Sequence, residues 1–469
     1  MIRGLGRTMK QIKLAYIGGG SKAWARVFMN DLALSEGLSG EIALFDIDRE
    51  AAERNRIIGE KIELLPETVS AWKYSVAETL EEALDGADFV AISILPGTFD
   101  DMESDVHLPE RYGIYQPVGD TVGPGGVLRA MRTVPLYESF AEAVREHCPK
   151  AWVINLTNPM TICCKTLFDV FPGIRAFGCC HEVFHAQEFL SCVIAEEEGV
   201  IRPERHEISV DVSGINHFTW ITDARWKDTD VLKLLPKFME RHYETGYCEQ
   251  GTDPQAFRSD NPFLYGNKVK MDLFRRYGAL AAAGDRHLVE FVSGQWYLAN
   301  RQAPEKWLFH LTPVSYRKDD QAKKILESKA IAEGRKEPVL KKSNEELIPM
   351  MKAILGCGRI VTNANTVNTG QIPQLPIGSV VETNCIFDSD TVQPITARPL
   401  PDTAAALVRR NADNIENLYR AIKARDIGSI REVFLNQPLC DTLTVAEGNE
   451  LFSEMIQRTS KCLRPFYRL

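Results

Sequence analysis

Ile12-Lys-Leu-Ala-Tyr-Ile17, running into Gly18-Gly19-Gly20-Ser21-Lys-Ala23, is the stretch that decides how this chain folds. Six residues rich in strand formers end abruptly in three glycines. Ser21 stands where it can cap a following helix. A short strand, a glycine turn and a helix form the first βα unit of a dinucleotide-binding sheet. The spacing Gly18-x-Gly20-x-x-Ala23 fits G-x-G-x-x-G/A. Gly18 permits the tight turn, Gly20 lets the backbone approach a pyrophosphate, and Ala23 keeps the helix close to the sheet. The N-terminus of that helix then faces the phosphates. Residues 42–46 read as the second strand. Asp46 closes it at the position where an acid binds the adenosine ribose, which favours NAD over NADP. A lone glycine turn is a weak signal, and it gains weight from the units that follow.

Outward from this unit, residues 48–63 read as a helix, 87–95 as an apolar strand stopped by Pro96-Gly97, and 127–147 as a helix. Residues 151–156 and 175–179 read as further strands, with a helix from about 181 to 197. Apolar strands alternating with helices predict an α/β fold, a Rossmann-type parallel sheet with helices on both faces. Near residue 200 the pattern changes. Ile208, Val210 and Val212 alternate, helical stretches lie around 229–243, 268–283, 318–332 and 402–424, and residues 361–386 read as strand and loop. The expected division is therefore a disordered extension over 1–10, an NAD-binding domain over 11–200 and a mixed α+β substrate and metal domain over 201–469. Met9 is a candidate start.

The 469 residues are 44% hydrophobic and 25% charged, enough for a large core. A net charge of −9, with no long Lys/Arg block, argues against nucleic acid as a partner. No apolar run approaches the roughly 20 residues of a membrane span, and Met1–Lys10 lacks the apolar region of a signal peptide. Eleven cysteines include the adjacent pairs Cys163-Cys164 and Cys179-Cys180, without disulfide-scaffold spacing. They read as reduced thiols in the cytoplasm.

His181-Glu-Val-Phe-His185 matches the zinc-peptidase pattern H-E-x-x-H, but it is short and sits inside the α/β region. Cys180 and His217 form a better metal pair. Cys180 follows a sheet strand at the edge where α/β proteins bind ligands, and His217 follows a strand of the next segment. A lone buried Cys or His is more often simply packed in a core.

Taken together, Ile17-Gly-Gly-Gly-Ser21, Gly123-Pro-Gly-Gly126, Thr157-Asn-Pro159, Cys180-His-Glu-Val183, Gly214-Ile-Asn-His217 and Gly370-Gln-Ile-Pro373 resemble glycoside hydrolase family 4. Members of that family are NAD-dependent and stand apart from the paired-carboxylate glycosidases. The resemblance implies that Cys180 and His217 ligate a manganese-type ion, that Asn158 contacts the sugar and that Asn155 borders the nicotinamide. It makes His181 the acid at the leaving group. It points to Asp272 in Met271-Asp-Leu-Phe-Arg-Arg-Tyr277 as the base, with Tyr277 second, although a helical Asp is more often a solvated surface residue. Cys-His-Glu-Val is similar to the version seen in α-galacturonidases, whereas Cys-His-Ser-Val goes with α-galactosidases and α-glucosidases. Glu182 cannot attract a uronate carboxylate, so the cation comes from elsewhere, with Arg129, Arg132, Arg286 and His287 as candidates. The implied reaction is hydrolysis without net redox change: oxidation at C3 by NAD⁺, loss of the C2 proton, elimination at C1, addition of water, and return of the hydride. The implied substrate is a small glycoside, a uronide or an oligosaccharide, and the implied assembly a homodimer or homotetramer. The rival readings are an α-glucosidase or α-galactosidase of the same family, a lactate- or malate-type dehydrogenase, and a non-catalytic NAD sensor.

Overall fold

In the computed structural model, which describes residues 10–251 and 261–469, six parallel strands come first. They are β1 (Lys10–Ile17), β2 (Leu38–Phe45), β3 (Ala71–Val76), β4 (Phe89–Ile92), β5 (Trp152–Asn155) and β6 (Arg175–Gly178), in the spatial order β3-β2-β1-β4-β5-β6. This is the Rossmann order, and its ligand crevice opens beyond the carboxyl ends of the strands where the order reverses, between β1 and β4. β4 and β5 are buried at every residue, which explains their unbroken apolar sequence. β1 serves two layers by alternation. Leu14 and Tyr16 pack with Phe28 and Ile58 on one face, and Ala15 and Ile17 with Tyr137 and Val144 on the other.

The same sheet continues past residue 200 in antiparallel strands. These are β7 (Ser209–Ile215), β8 (Phe218–Trp226), β9 (Thr229–Asp230), β10 (Leu280–Ala281), β11 (Ile360–Val367), β12 (Val380–Asp388) and β13 (Thr391–Pro394). They extend the path as β6-β11-β12-β7-β8-β10. β6 and β11 meet at one pair, Gly178 opposite Asn365. A Cβ at Gly178 would lie 2.5 Å from the Met160 sulfur, so glycine lets a helix close over the seam. Helices Asp402–Lys423, Ile427–Leu435 and Val445–Arg458 cover this half. Among the described residues, no helix is long and apolar enough to cross a membrane.

Several boundaries differ from expectation. Residues 1–9, read as an extension, lie outside the described residues, and Lys10 already belongs to β1. β3 and the helices Phe99–His107 and Met160–Val170 stand in stretches to which the sequence reading gives no element. The helix expected over 268–283 stops at Tyr277, because Gly278 takes a left-handed conformation (φ 75°) that caps it, and β10 follows. The helix expected from 229 begins only at Leu235, after β9 and a 3₁₀ turn.

Candidate active site

The strand ends open on one cleft of about 590 Å³, whose lining includes Trp24, Asn158, Cys180, His181, His217, Tyr265 and His287. Trp24, which lines it, opens the helix that follows the glycine turn. Gly18 and Gly19 both donate to Phe45 O at 2.9 Å. Gly18 has φ 93°, and a Cβ there would fall 2.0 Å from Ser93 O, so no other residue fits. Gly20 N donates to Asp46 Oδ2 at 2.8 Å, and Asp48 N to Asp46 Oδ1 at 2.8 Å. The acid at the end of β2 therefore lies against the loop. Ile47 beside it is 99% exposed, an apolar face open to a flat ring. Ser21 does not cap the helix as expected. Its hydroxyl takes only the Ala23 amide at 3.4 Å, and Ala23, at the N-cap, has no side chain that could reach back. The first turn of Trp24–Ala33 is thus free of a side-chain cap, which suits a phosphate.

Asn155 is fully buried and engaged with Tyr137, Thr157 and Met160, so it shapes the turn after β5. Asn158 lines the cleft. Its carbonyl accepts from Arg129 Nε at 3.0 Å, while its buried side-chain Oδ1 has no hydrogen-bond partner among the described residues. A buried acceptor left open at a cleft wall fits a ligand hydroxyl.

Asp120, His217 and His287 bring their ligating atoms within 4.8 Å of one another. His217 reaches the cleft through a left-handed residue (φ 64°) in the tight β7–β8 turn, and its ring lies 3.9 Å from that of His287. The Thr121 hydroxyl bonds both Asp120 (2.7 Å) and His217 Nδ1 (3.0 Å). Glu290 fixes the loop before Asp120 by accepting from Val118 N and Gly119 N at 2.7 and 2.9 Å. Burial and the neighbouring His287 hold His217 down at about 3. Burial opposes ionisation of Asp120, but Arg129 and the two histidines outweigh it and bring its carboxyl to about 2. Two neutral imidazoles and one carboxylate form a donor set suited to a divalent cation. Cys180 lines the same cleft but stands outside this trio. Burial, then Glu382 and Glu182, push its thiol well above the usual range.

Glu182 lines the cleft with both carboxylate oxygens set against protein groups. Its Oε2 accepts from Gly284 N at 2.7 Å and its Oε1 lies 3.7 Å from His287 Nε2. Burial disfavours its charge, but His287, His181 and His185 overcome this and hold it well below the usual range. His181 stacks on Trp24 and sits 3.3 Å from Glu345, which with Glu182 favours its protonated form against burial.

Of the remaining expected site residues, Asp272 and Tyr277 do not line the cleft. Asp272 accepts from the hydroxyls of Tyr243 and Tyr297 at 2.8 and 2.7 Å, and Tyr277 packs against Trp220. Arg132 is buried against Asp105, and Arg129 serves Asn158 and Asp120, so neither reaches the cleft. Arg286 does reach it, and His287 joins the cation cluster instead of standing free.

Residues 13–196 match the Family 4 glycosyl hydrolases, and residues 212–440 their C-terminal domain. The chain belongs to glycosyl hydrolase family 4. Relatives include the α-galacturonidases of Thermoanaerobacterium saccharolyticum, 49% identical over 96% of both chains, and of Bacillus subtilis, 46% identical over 96% of this chain and 98% of that one. The solved structure of LplD from Bacillus subtilis, 46% identical, covers 95% of this chain and 99% of its own, with a TM-score of 0.89. A 6-phospho-α-glucosidase from gut microorganisms, solved with NAD and glucose-6-phosphate, shares the fold at 19% identity and a TM-score of 0.78 over 96% of this chain and 98% of that one.

This family 4 chain places a tyrosine in the cleft that sequence reasoning missed. Tyr265 follows the segment 252–260 in an irregular stretch, with no motif to mark it. Its ring lies against Gly284, where a Cβ would sit 2.7 Å from the ring carbons. Gly284→Ala must therefore shift either Tyr265 or the strand-to-helix turn that carries His287. We expect turnover to fall at least about 10-fold with the protein still folded, as a small misplacement of reacting groups does. Circular dichroism and steady-state kinetics check this, and unchanged kcat would show that the ring's position is not critical.

Proposed function

We propose that this family 4 hydrolase cleaves α-galacturonides, using NAD and a divalent cation of the manganese type. The observation that carries this is one cleft joining four parts: Trp24 at the start of the helix after the glycine turn, the Asp120–His217–His287 trio, the buried phenol of Tyr265, and the open Oδ1 of Asn158. Four relatives named α-galacturonidase, 45–49% identical, supply the substrate class.

NAD would rest on Gly18–Gly20 and the uncapped helix, with Asp46 at its ribose. Asp120, His217, His287 and Cys180 would hold the cation. When bound, NAD offers a hydride acceptor at C3 that is restored within each cycle, and the cation offers Lewis acidity to the sugar oxygens. The chain's own groups do the rest. Asn158 binds a sugar hydroxyl. Tyr265 takes the C2 proton, in the role that sequence reasoning gave to Asp272. Burial and the carboxylates of Glu249 and Glu182 hold its phenol well above 10, so the positive charge of a neighbouring cation would favour its base form. His181, kept charged by Glu345, gives a proton to the leaving oxygen. Glu182 positions the Gly284–His287 turn. With the division placed near residue 200, the cleft takes Asp120, Asn158, Cys180 and His181 from the cofactor side and His217, Tyr265 and His287 from the other. All eleven cysteines are free, which suits the cytoplasm, and a homodimer or homotetramer follows from the family resemblance.

The test uses nitrophenyl glycosides with NAD⁺, Mn²⁺ and a thiol reductant. The α-galacturonide should exceed the α-galactoside, α-glucoside and 6-phosphoglycosides by about 100-fold or more in kcat/KM, since a site built around a charged group rejects an analogue lacking it. Equal or faster cleavage of any of these competitors refutes the substrate class.

A further inference from the structure

Two guanidinium groups in the cleft take no part in the chemistry above. Arg317 stands in the first turn of the helix Val314–Ala332, and Arg286 stands next to His287. They flank one ring, with Cζ of Arg286 5.1 Å and Cζ of Arg317 5.9 Å from the Phe263 centroid. Arg286 is pinned: it donates from Nε to His310 O at 3.2 Å and from Nη2 to Pro117 O at 2.7 Å and to Thr312 Oγ1. All three acceptors are neutral. Among the described residues, neither guanidinium forms an ion pair with a carboxylate.

Among the described residues, the acids lining the cleft are all engaged. Asp120 is bonded by Thr121, Glu182 by Gly284 N, Glu188 pairs with His185, Glu249 accepts from Asn267, and Glu345 pairs with His181. Among the described residues, the cleft thus holds two guanidiniums beside one ring with no ion-paired carboxylate. Such a pair costs stability until an anion enters, and that cost becomes binding energy and selectivity. The five carboxylates lining the same cleft repel a dianion more than a monoanion, which favours a carboxylate over a phosphate. Arg286 and His287 are consecutive, so the anion site adjoins the cation cluster. On a hexopyranose ring, C5 with its C6 group lies opposite C2, so one sugar can present C2 and C3 to the cluster and C6 to the guanidiniums.

We propose that Arg317, with Arg286 as a fixed wall, binds the C6 carboxylate of the uronide and sets the choice of acid over neutral sugar. This rests on the galacturonide reading given above. The test compares wild type, Arg317→Ala and Arg317→Lys, each loaded with NAD⁺ and Mn²⁺, on nitrophenyl α-galacturonide and its neutral methyl ester. Binding of free galacturonate and galactose-6-phosphate is measured alongside by calorimetry. Arg317→Ala should lower kcat/KM for the galacturonide on the order of 100-fold, mostly through KM, and leave the methyl ester within about 3-fold. Arg317→Lys should recover part of the loss, since it keeps the charge but not the fork. Equal losses on acid and ester, or no loss on either, overturn the assignment. So does tighter binding of galactose-6-phosphate than of galacturonate by the wild type. If the wild type cleaves no galacturonide, yet Arg317→Ala still weakens galacturonate binding, the anion site stands and the functional reading falls. If the galacturonide is cleaved and the variant keeps the acid-to-ester ratio, the anion site alone falls.

Discussion

Tyr265→Phe is expected to lower kcat by about 10²–10⁴-fold, the range for loss of a positioned proton acceptor. In heavy water the wild-type product should carry deuterium at C2, because a 3-ketone makes that proton acidic before the C1–O bond breaks. The variant should lose this exchange together with turnover. Affinity for NAD should stay near normal, since the proposal gives cofactor binding to the glycine turn and Asp46 and not to Tyr265. Asp272→Asn is the control. Its carboxylate is tied to Tyr243 and Tyr297 outside the cleft, so this variant should exchange C2 at a rate close to wild type and show its defect in thermal stability. Should Asp272→Asn lose exchange while Tyr265→Phe keeps it, the assignment drawn from the cleft is reversed. A product with only protium at C2 would remove the oxidation–elimination route altogether. NADH that accumulates in step with substrate loss would instead mark a dehydrogenase.

Loss of the cation is expected to cost about 10³-fold or more, equivalent to several kcal/mol of charge stabilisation at the sugar oxygens. Exhaustive chelation should silence the enzyme, and Mn²⁺ should restore it. His217→Ala should behave as chelated wild type and resist rescue, because the imidazole is buried and bonded to Thr121 in ligating position. Asp120→Asn keeps the shape of the trio but removes its negative charge, so its cation affinity, read by calorimetry or metal analysis, should fall by orders of magnitude. Cys180→Ser tests whether a thiol outside the trio also ligates. A fall in cation affinity with the fold intact supports the thiol as a fourth donor. Full activity of any of these variants after chelation would show that the trio is a structural polar cluster.

The features legible in the sequence are those that a few neighbouring residues impose on their own backbone. Gly18 admits no side chain beside Ser93, Gly20 must approach Asp46, and β4 and β5 are apolar because both faces are covered. Such constraints act over one turn or one strand, so spacing alone revealed the dinucleotide unit and the parallel sheet. The stretches around Cys180 and His217 were legible for the same reason, since each sits at a strand end whose geometry is local. Tertiary structure alone decided which side chains meet. Asp120 and His287 join His217 from segments far apart in the chain. Asp105 neutralises Arg132 and so removes it from the substrate candidates. Tyr265 enters the cleft only because Gly284 leaves room for its ring, whereas Asp272, on a helix of plausible pattern, is captured by two tyrosines outside the cleft. Charge pairing and close packing between distant segments depend on the folded distances. No period or motif in the chain encodes them.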